Sequence, residues 1–330
     1  MAATIDRREL ITALGSAAFA WPLAARAQQQ AMAVIGYAAG SVKSAREFLD
    51  GVSRGLAKLG YVEGQNFRFE LRDANDQYDR IPIMFRELAD QKVTVIVVAT
   101  TVQLEAAKAA TQSIPIVFYT GVDPVENGFV ASLNKPGGNL TGLFNLNSTM
   151  TGKRVEVLRE LVPSVKKFAF LTNPRDLRLS KVETREAQAA ADSLGLNLLI
   201  VNAYNLDELE AAFETSLRES AGGMVVGSNA QFFSFPTQLA TLTARYGLPA
   251  IYVYDRPVRE GGLVSYGVDQ EAVRRLLGNY AGRILKGEKP ADIPVQQATK
   301  TKLVINLKTA KALGITVPTT LLGRAEEVIE

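Results

Sequence analysis

Hydroxyl, amide and carboxylate side chains follow the predicted β-strands of this sequence, at the points where the strands end. These residues are Ser41, Thr100, Thr101, Asp123, Asn173, Asn229 and Asp255, and the phenols of Tyr119 and Tyr254 lie at the ends of two of the strands. In an open parallel sheet, ligands bind beyond the carboxyl ends of the strands. Polar groups of these types suit a small polar ligand whose apolar part is covered by an aromatic side chain. We therefore predict a ligand-binding site built from these residues.

Most of these residues have a second interpretation that needs no ligand. Thr100 and Thr101 could bind a carboxylate at the start of a helix, and Asp123 or Asp255 could pair with an ammonium group. The hydroxyls, including that of Ser41, also suit helix capping. Asp and Asn before proline are common turn formers, and the tyrosines could pack in a core or a hinge. Both interpretations stay open at the level of the sequence.

The composition excludes several classes of catalytic site, because the chain contains no histidine and no cysteine. The Ser-His and Cys-His nucleophile pairs are therefore absent, and so are disulfides and the imidazole ligands of most zinc sites. Residues 51–55 match the G-x-S-x-G pattern of hydrolases, but Phe48, Val52 and Leu56 recur at helical spacing around Ser53. We predict a helix there and expect binding rather than catalysis, with no cofactor and no metal.

The charge distribution gives no sign of a nucleic-acid partner. The formal net charge is only +3 over 330 residues, and no basic cluster with interleaved aromatic residues is present. Glu326 and Glu327, close to the end of the chain, are predicted to lie on a solvated helix face. We therefore expect no nucleic-acid partner.

The first 27 residues have the parts of a cleavable export signal. Arg7 and Arg8 precede an apolar run to Ala24, and Ala25-Arg26-Ala27 supplies a small-x-small end. The paired arginines favour the twin-arginine route. We expect cleavage near Gln28, a periplasmic location, no lipid anchor in the absence of cysteine, and no membrane insertion afterwards.

Short β-rich runs alternate with helical patterns along the rest of the chain. A first series runs from a strand over residues 33–37 to one over 116–119, and a second runs from a helix over 152–161 to a strand over 250–252. Two series of this kind predict an α/β fold with two Rossmann-like lobes, each with a parallel sheet. The chain that remains after both lobes predicts repeated crossing between them, and hence a hinge of several strands.

Several long motifs resemble one protein family. They are Asp123-Pro124-Val125 with residues 128–133, then 136–142, 261–267 and 303–310. In this order they are similar to the TrpX-like family of ABC-transporter substrate-binding proteins. The resemblance implies a type I periplasmic-binding fold whose lobes are joined by three crossings. It also implies closure on one small solute, expected to be amino-acid-like or an aromatic acid, and delivery to a membrane permease.

The resemblance leads to a lobe assignment and to one departure from the family pattern. We assign residues 28–145 with 268–295 to the first lobe and 146–267 with 296–330 to the second. Where many relatives have roughly Arg-Glu-Phe, this chain has Asp255-Arg256-Pro257 beside the expected cleft. We expect the protein to be a monomer that binds its ligand by hinge closure. The alternatives are an exported ligand-sensing module and an exported enzyme that uses Asp123 and Asp255 as an acid-base pair.

Overall fold

The computed structural model describes residues 32–40, 42–75, 77–145 and 147–330. The predicted export signal and the candidate Ser41 lie outside these described residues. No helix within the described ranges is both long and apolar enough to cross a membrane.

The first sheet has six parallel strands in the order β11-β5-β4-β3-β1-β2. Its strands are β1 (Ala33–Ala39), β2 (Phe67–Asp73), β3 (Val95–Val98), β4 (Ile116–Thr120), β5 (Leu140–Phe144) and β11 (Gln296–Gln297). The helices packed on it are α1 (Val42–Ala57), α2 (Ile81–Asp90), α3 (Thr101–Ala110) and α9 (Gln270–Leu285). Short 3-10 turns occupy Tyr78–Arg80 and Pro290–Asp292.

The central strands of this sheet are apolar on both faces because helices cover both. In β3, Val95 and Val97 join the core under α1 and α9, while Ile96 and Val98 join the core under α2 and α3. All four of these side chains are fully buried. The continuous apolar run therefore follows from a parallel sheet that is buried on both sides.

The second sheet has seven strands in the order β13-β12-β10-β9-β8-β6-β7, and only the β10/β12 pair is antiparallel. Its strands are β6 (Lys167–Thr172), β7 (Asn197–Asn202), β8 (Met224–Val226), β9 (Ala250–Tyr252), β10 (Val264–Val268), β12 (Thr301–Asn306) and β13 (Glu327–Ile329). Its helices are α4 (Thr151–Leu161), α5 (Leu177–Ser193), α6 (Leu206–Arg218), α7 (Pro236–Tyr246), α8 (Arg256–Arg259), α10 (Leu307–Ala312) and α11 (Thr319–Leu322). Further 3-10 turns occupy Asn147–Met150 and Ala230–Ser234.

Within the described residues, the chain passes between the two sheets three times. It leaves β5 through the turn Asn147–Met150 into α4, returns from β10 into α9, and leaves again from β11 into β12. This topology confirms the predicted fold of two parallel-sheet lobes with a three-crossing hinge. The assignment of residues 296 and 297 to the second lobe needs correction, since Gln296–Gln297 pair with β5 of the first sheet.

Helices α1 and α9 pack unusually closely in the first lobe. A Cβ atom on Gly55 would overlap the carbonyl oxygen of Arg275, and one on Gly278 would overlap that of Val52. Ser53 lies inside α1, which confirms that the G-x-S-x-G match is helical. Gly51 and Gly55 of that match allow α1 and α9 to pack closely. They do not form the strand-to-helix turn that carries the nucleophile in hydrolases.

The end of the chain differs from its prediction. Glu327 lies in β13, which adds a parallel edge strand to β12, and it pairs with Arg259 (2.7 Å) and Lys302 (2.7 Å). The Glu326 carboxylate accepts a hydrogen bond from the backbone N–H of Leu303. The predicted solvated helix face is therefore wrong. Strand pairing and charge partners distant in sequence outweigh the local helical tendency of two glutamates.

Candidate functional site

The carboxyl ends of the strands in both sheets adjoin the hinge. The first crossing begins at the carboxyl end of β5, which is parallel to β1, β3 and β4, and the second begins at the carboxyl end of β10, which is parallel to β9. The loops that follow these strands therefore face the region between the lobes. This is the position where open parallel sheets bind ligands.

The first lobe forms one wall of this region, and this wall carries hydroxyl groups. Thr100 is the N-cap of α3 and accepts a hydrogen bond from the Gln103 backbone N–H (3.2 Å), as the capping interpretation expects. The hydroxyls of Thr101 and Thr120 lie 2.8 Å apart and join the ends of β3 and β4. The Gln103 side chain donates to the Ala38 carbonyl oxygen (2.9 Å) and so fixes the end of β1. These hydrogen bonds fix the hydroxyl groups of this wall relative to the strand ends.

Tyr119 joins two crossings of the hinge. Its side chain is buried, and its hydroxyl contacts the amide of Asn145, after β5, and accepts a hydrogen bond from Gln270 Nε2 (3.2 Å), at the start of α9. Burial raises the pKa of Tyr119 to about 12. The hinge-packing interpretation therefore describes Tyr119 in this structure.

We expect the Tyr119→Phe variant to reduce the loss of stability at alkaline pH. Between pH values of about 10 and 12 the unfolded chain loses its phenolic proton first, so the free energy of unfolding falls as pH rises. With a folded pKa of about 12, Tyr119 accounts for roughly 2 to 3 kcal/mol of that fall. Denaturant titrations at both ends of this range measure it. Tyr280→Phe is the comparison, because it removes another phenol whose burial raises its pKa to about 12. It should reduce the dependence of the free energy of unfolding on pH by a similar amount. If that dependence is unchanged in Tyr119→Phe, the raised pKa of Tyr119 is contradicted.

The second lobe forms the opposite wall, and this wall carries paired amides. Asn173 Nδ2 donates to Asn229 Oδ1 (3.0 Å), and Asn229 Nδ2 donates to the Asp176 carboxylate (3.2 Å). Both asparagines are buried and also accept backbone N–H groups of their own loops, from Arg175 and Gln231. The loops after β6 and β8 are thereby held together as one polar surface.

An aromatic pair lies beside these amides. The rings of Tyr254 and Phe233 stack with centroids 3.3 Å apart, and the Tyr254 hydroxyl lies 3.5 Å from the Asn229 carbonyl oxygen. Burial raises the pKa of Tyr254 well above its ordinary value, and the nearby Glu183 carboxylate raises it further. The wall thus combines a flat apolar surface with hydrogen-bonding groups.

The two candidate aspartates have separate partners. The Asp123 carboxylate accepts the backbone N–H groups of Val125 (2.8 Å) and Glu126 (3.0 Å), so the turn-forming interpretation holds for it. The Asp255 carboxylate pairs with Arg259 (3.1 Å) and Lys302 (3.4 Å). No hydrogen bond in the described part of the chain joins the two carboxylates. Pairing of either one with a ligand ammonium group stays a prediction.

A charged cavity of about 310 Å³ lies next to the second crossing and is lined by both lobes. Tyr254, Asp255 and Gln270 are among its lining residues. Glu47 on α1 pairs with Arg274 of its own lobe (3.3 Å) and with Arg256 of the other lobe (3.3 Å). The segment that departs from the family pattern therefore contacts the opposite lobe directly.

Comparison with known proteins agrees with this architecture. Residues 37–329 match the model of the ABC transporter substrate binding protein family. A tyrosine-binding protein of Clostridioides difficile (strain R20291) is 27% identical over 265 residues, which cover 80% of this chain and 76% of that protein.

This chain belongs to the ABC transporter substrate-binding protein family.

Two solved structures are similar to this substrate-binding protein over almost the whole length of the chain. An ABC domain in complex with L-Trp from Streptococcus pneumonia is 27% identical, with a TM-score of 0.79 over 91% of this chain and 100% of that one. A conserved domain protein from Vibrio cholerae is 26% identical, with a TM-score of 0.78 over 90% and 99% of the two chains. The fold is the type I periplasmic-binding fold. Membership of the family implies a small-molecule ligand and a membrane permease as partner.

The sequence interpretation missed the buried polar residues behind the walls of this substrate-binding protein. These are Asn145, Asn147, Arg154 and Glu183; Gln270, which is partly buried, was missed as well. One signal was available in the sequence. Arg154 lies about one helical turn before Leu158, and Glu183 lies about one turn before Ala187, so each charged residue falls on the apolar stripe of its helix. A charged residue on a buried stripe indicates a specific partner.

Proposed function

We propose that this chain captures an aromatic amino acid between its lobes and delivers it to the permease of an ABC uptake transporter. The observation that carries the proposal is the stacked Tyr254–Phe233 pair beside the Asn173–Asn229 amides. It gives an aromatic ring a flat apolar surface and gives a polar head group hydrogen-bonding partners in one place. The Trp-bound and tyrosine-binding relatives support the same class of ligand.

The opposite wall suits the zwitterionic end of such a ligand. The Thr101 hydroxyl, held in place by that of the fully buried Thr120, and the N–H groups at the start of α3 would receive the carboxylate, since a helix N-terminus favours negative charge. Ser41, Thr100, Tyr119, Asp123 and Asp255 stay candidates for further contacts. In this proposal one ligand touches both lobes, and its binding energy favours the closed state over the open state.

Thermal unfolding of residues 28–330 with added L-tryptophan, L-tyrosine, L-phenylalanine, aliphatic amino acids and aromatic acids tests the proposal. We expect aromatic amino acids alone to stabilise the chain, by about 2.7 kcal/mol at one hundred times the dissociation constant. Asn229→Ala should weaken this binding. Thr241→Val, which removes an exposed hydroxyl on α7, should leave it unchanged.

Two other results of this experiment would contradict the proposal. Stabilisation by aliphatic amino acids instead would contradict the aromatic ligand, and conversion of the ligand to a product would indicate an enzyme.

Recovery of the chain from the periplasmic fraction with the mass of residues 28–330 would support signal cleavage and a periplasmic location. The same preparation should elute as a monomer, as expected for a protein that presents its cleft to a permease.

A further inference from the structure

A buried ion pair lies behind the amide wall of the second lobe. Arg154 on α4 and Glu183 on α5 have side chains that are 0% and 1% exposed, with Arg154 Nη2 3.4 Å from Glu183 Oε1. Thr151 lies between them, since its hydroxyl accepts from Arg154 Nη2 (2.7 Å) and donates to Glu183 Oε1 (3.3 Å). The pair is shielded from solvent, and neither residue is part of the cleft surface.

The Glu183 end of the pair holds the loop of the candidate ligand site. Its carboxylate accepts the backbone N–H of Ser228 (3.0 Å) and the Ser228 hydroxyl (2.6 Å). Ser228 precedes Asn229, whose amide forms the wall. A Cβ atom on Gly227 would lie only 2.9 Å from Glu183 Oε2, so the loop lies directly against the carboxylate. Glu183 therefore fixes where this loop can be.

The Arg154 end holds the hinge. Arg154 Nη2 donates to the carbonyl oxygen of Asn147 in the first crossing (3.1 Å). Asn147 Oδ1 in turn accepts the backbone N–H of Val268 in the second crossing (3.2 Å). A continuous chain of hydrogen bonds thus runs from Ser228 through Glu183, Arg154 and Asn147 to Val268.

Stability alone does not explain this arrangement. Burying two charges is costly, and a well-packed apolar pair of similar volume is often as stable or more stable. The cost is high here because Arg154 Nε and Nη1 are buried with no hydrogen-bond partner among the described residues. Incompletely paired buried donors are rare in native proteins, so each one needs a specific explanation.

We propose that Arg154 and Glu183 are positioning residues that couple the Ser228–Asn229 loop to the hinge, so that ligand contact at the loop and lobe closure occur together. This inference rests on the proposed function for its ligand. Neither side chain touches the ligand. Their effect on affinity comes from holding the loop in the position that matches the closed hinge.

The test uses the double variant Arg154→Met/Glu183→Leu, which replaces the pair by apolar side chains of similar length. We expect it to fold with a melting temperature near that of the wild-type chain. We also expect it to bind L-tryptophan or L-tyrosine roughly tenfold more weakly, within the usual range of coupling between sites. The decrease in radius of gyration on adding the amino acid, measured by X-ray scattering, should be smaller.

Tyr252→Phe is the matched control. It removes a hydrogen bond between Tyr252 and Thr243 (3.0 Å) that is buried in the same lobe but lies outside this chain of contacts. We expect it to lower the melting temperature while the affinity and the closure stay as in the wild-type chain. A double variant that binds and closes like the wild-type chain would overturn the proposal.

A ligand-free measurement separates this proposal from the proposed function. Amide hydrogen exchange in the Glu183→Gln variant, followed residue by residue, should accelerate at Ser228 and also at Val268, although Glu183 contacts only the first of them. Acceleration at Ser228 alone would refute the coupling, whatever the ligand is. Failure of all the amino acids to bind the wild-type chain would instead refute the aromatic ligand and leave this coupling result intact.

Discussion

Replacing Arg154 alone by methionine is expected to lower the free energy of unfolding by about 3 to 5 kcal/mol. The reason is that Glu183, only 1% exposed, stays buried and loses its cationic partner, so the folded state must bury an unpaired carboxylate or bind a proton. Denaturant titration at neutral pH measures the loss. Adding Glu183→Leu should recover most of it, because the second substitution removes the uncompensated charge. Arg185→Met, which removes an exposed arginine on α5, should change stability by less than about 0.5 kcal/mol.

The pH dependence of the Arg154→Met variant gives an independent check. Burial already raises the pKa of Glu183, and the positive charge of Arg154 lowers it. Without Arg154 the pKa of Glu183 should rise further, so the folded state binds a proton more readily than the unfolded state. Stability relative to the wild-type chain should therefore recover as pH falls. A loss of stability that is independent of pH would indicate a packing defect in place of an unpaired charge.

The fold could be predicted largely from the sequence because each local signal was consistent with the topology. Strands such as β3 are apolar throughout, and helices such as α1 carry an apolar stripe, so the alternation of strands and helices is visible before any contact is known. Strands β11 and β13 were missed. They are short edge strands with exposed or half-buried residues, and pairing with a strand distant in sequence defines them.

The candidate site was predictable in its location but not in its partners. The rule on strand ends led to Thr101, Asn173, Asn229 and Tyr254, which line up on two walls in the structure. Whether a polar residue caps a helix, forms a turn or faces a ligand depends on contacts across tens of residues. Asp123 and Asp255 show this, since one is held by backbone N–H groups and the other by cations of α8 and β12.

The second large effect is expected from Gly278→Ala, where helix propensity and packing predict opposite results. In an isolated helix, alanine is about 1 kcal/mol more favourable than glycine. In this protein a Cβ atom at position 278 would overlap the Val52 carbonyl oxygen and lie 2.9 Å from Gly55 Cα. Both are backbone atoms, so no side-chain rotation relieves the overlap, and α9 must move away from α1.

We therefore expect Gly278→Ala to lower the free energy of unfolding by about 3 kcal/mol, at the upper end of the range for overpacked cores. Denaturant titration measures it, and Gly138→Ala is the control, because a Cβ atom at that loop position has no neighbour within 4 Å. Because α9 begins at the second crossing, the displacement of α9 should also reach the contact of Gln270 with Tyr119. Ligand affinity in Gly278→Ala should then fall together with stability. A variant as stable as the wild-type chain would mean that helix propensity outweighs packing here, and that α1 and α9 lie further apart than the structure places them.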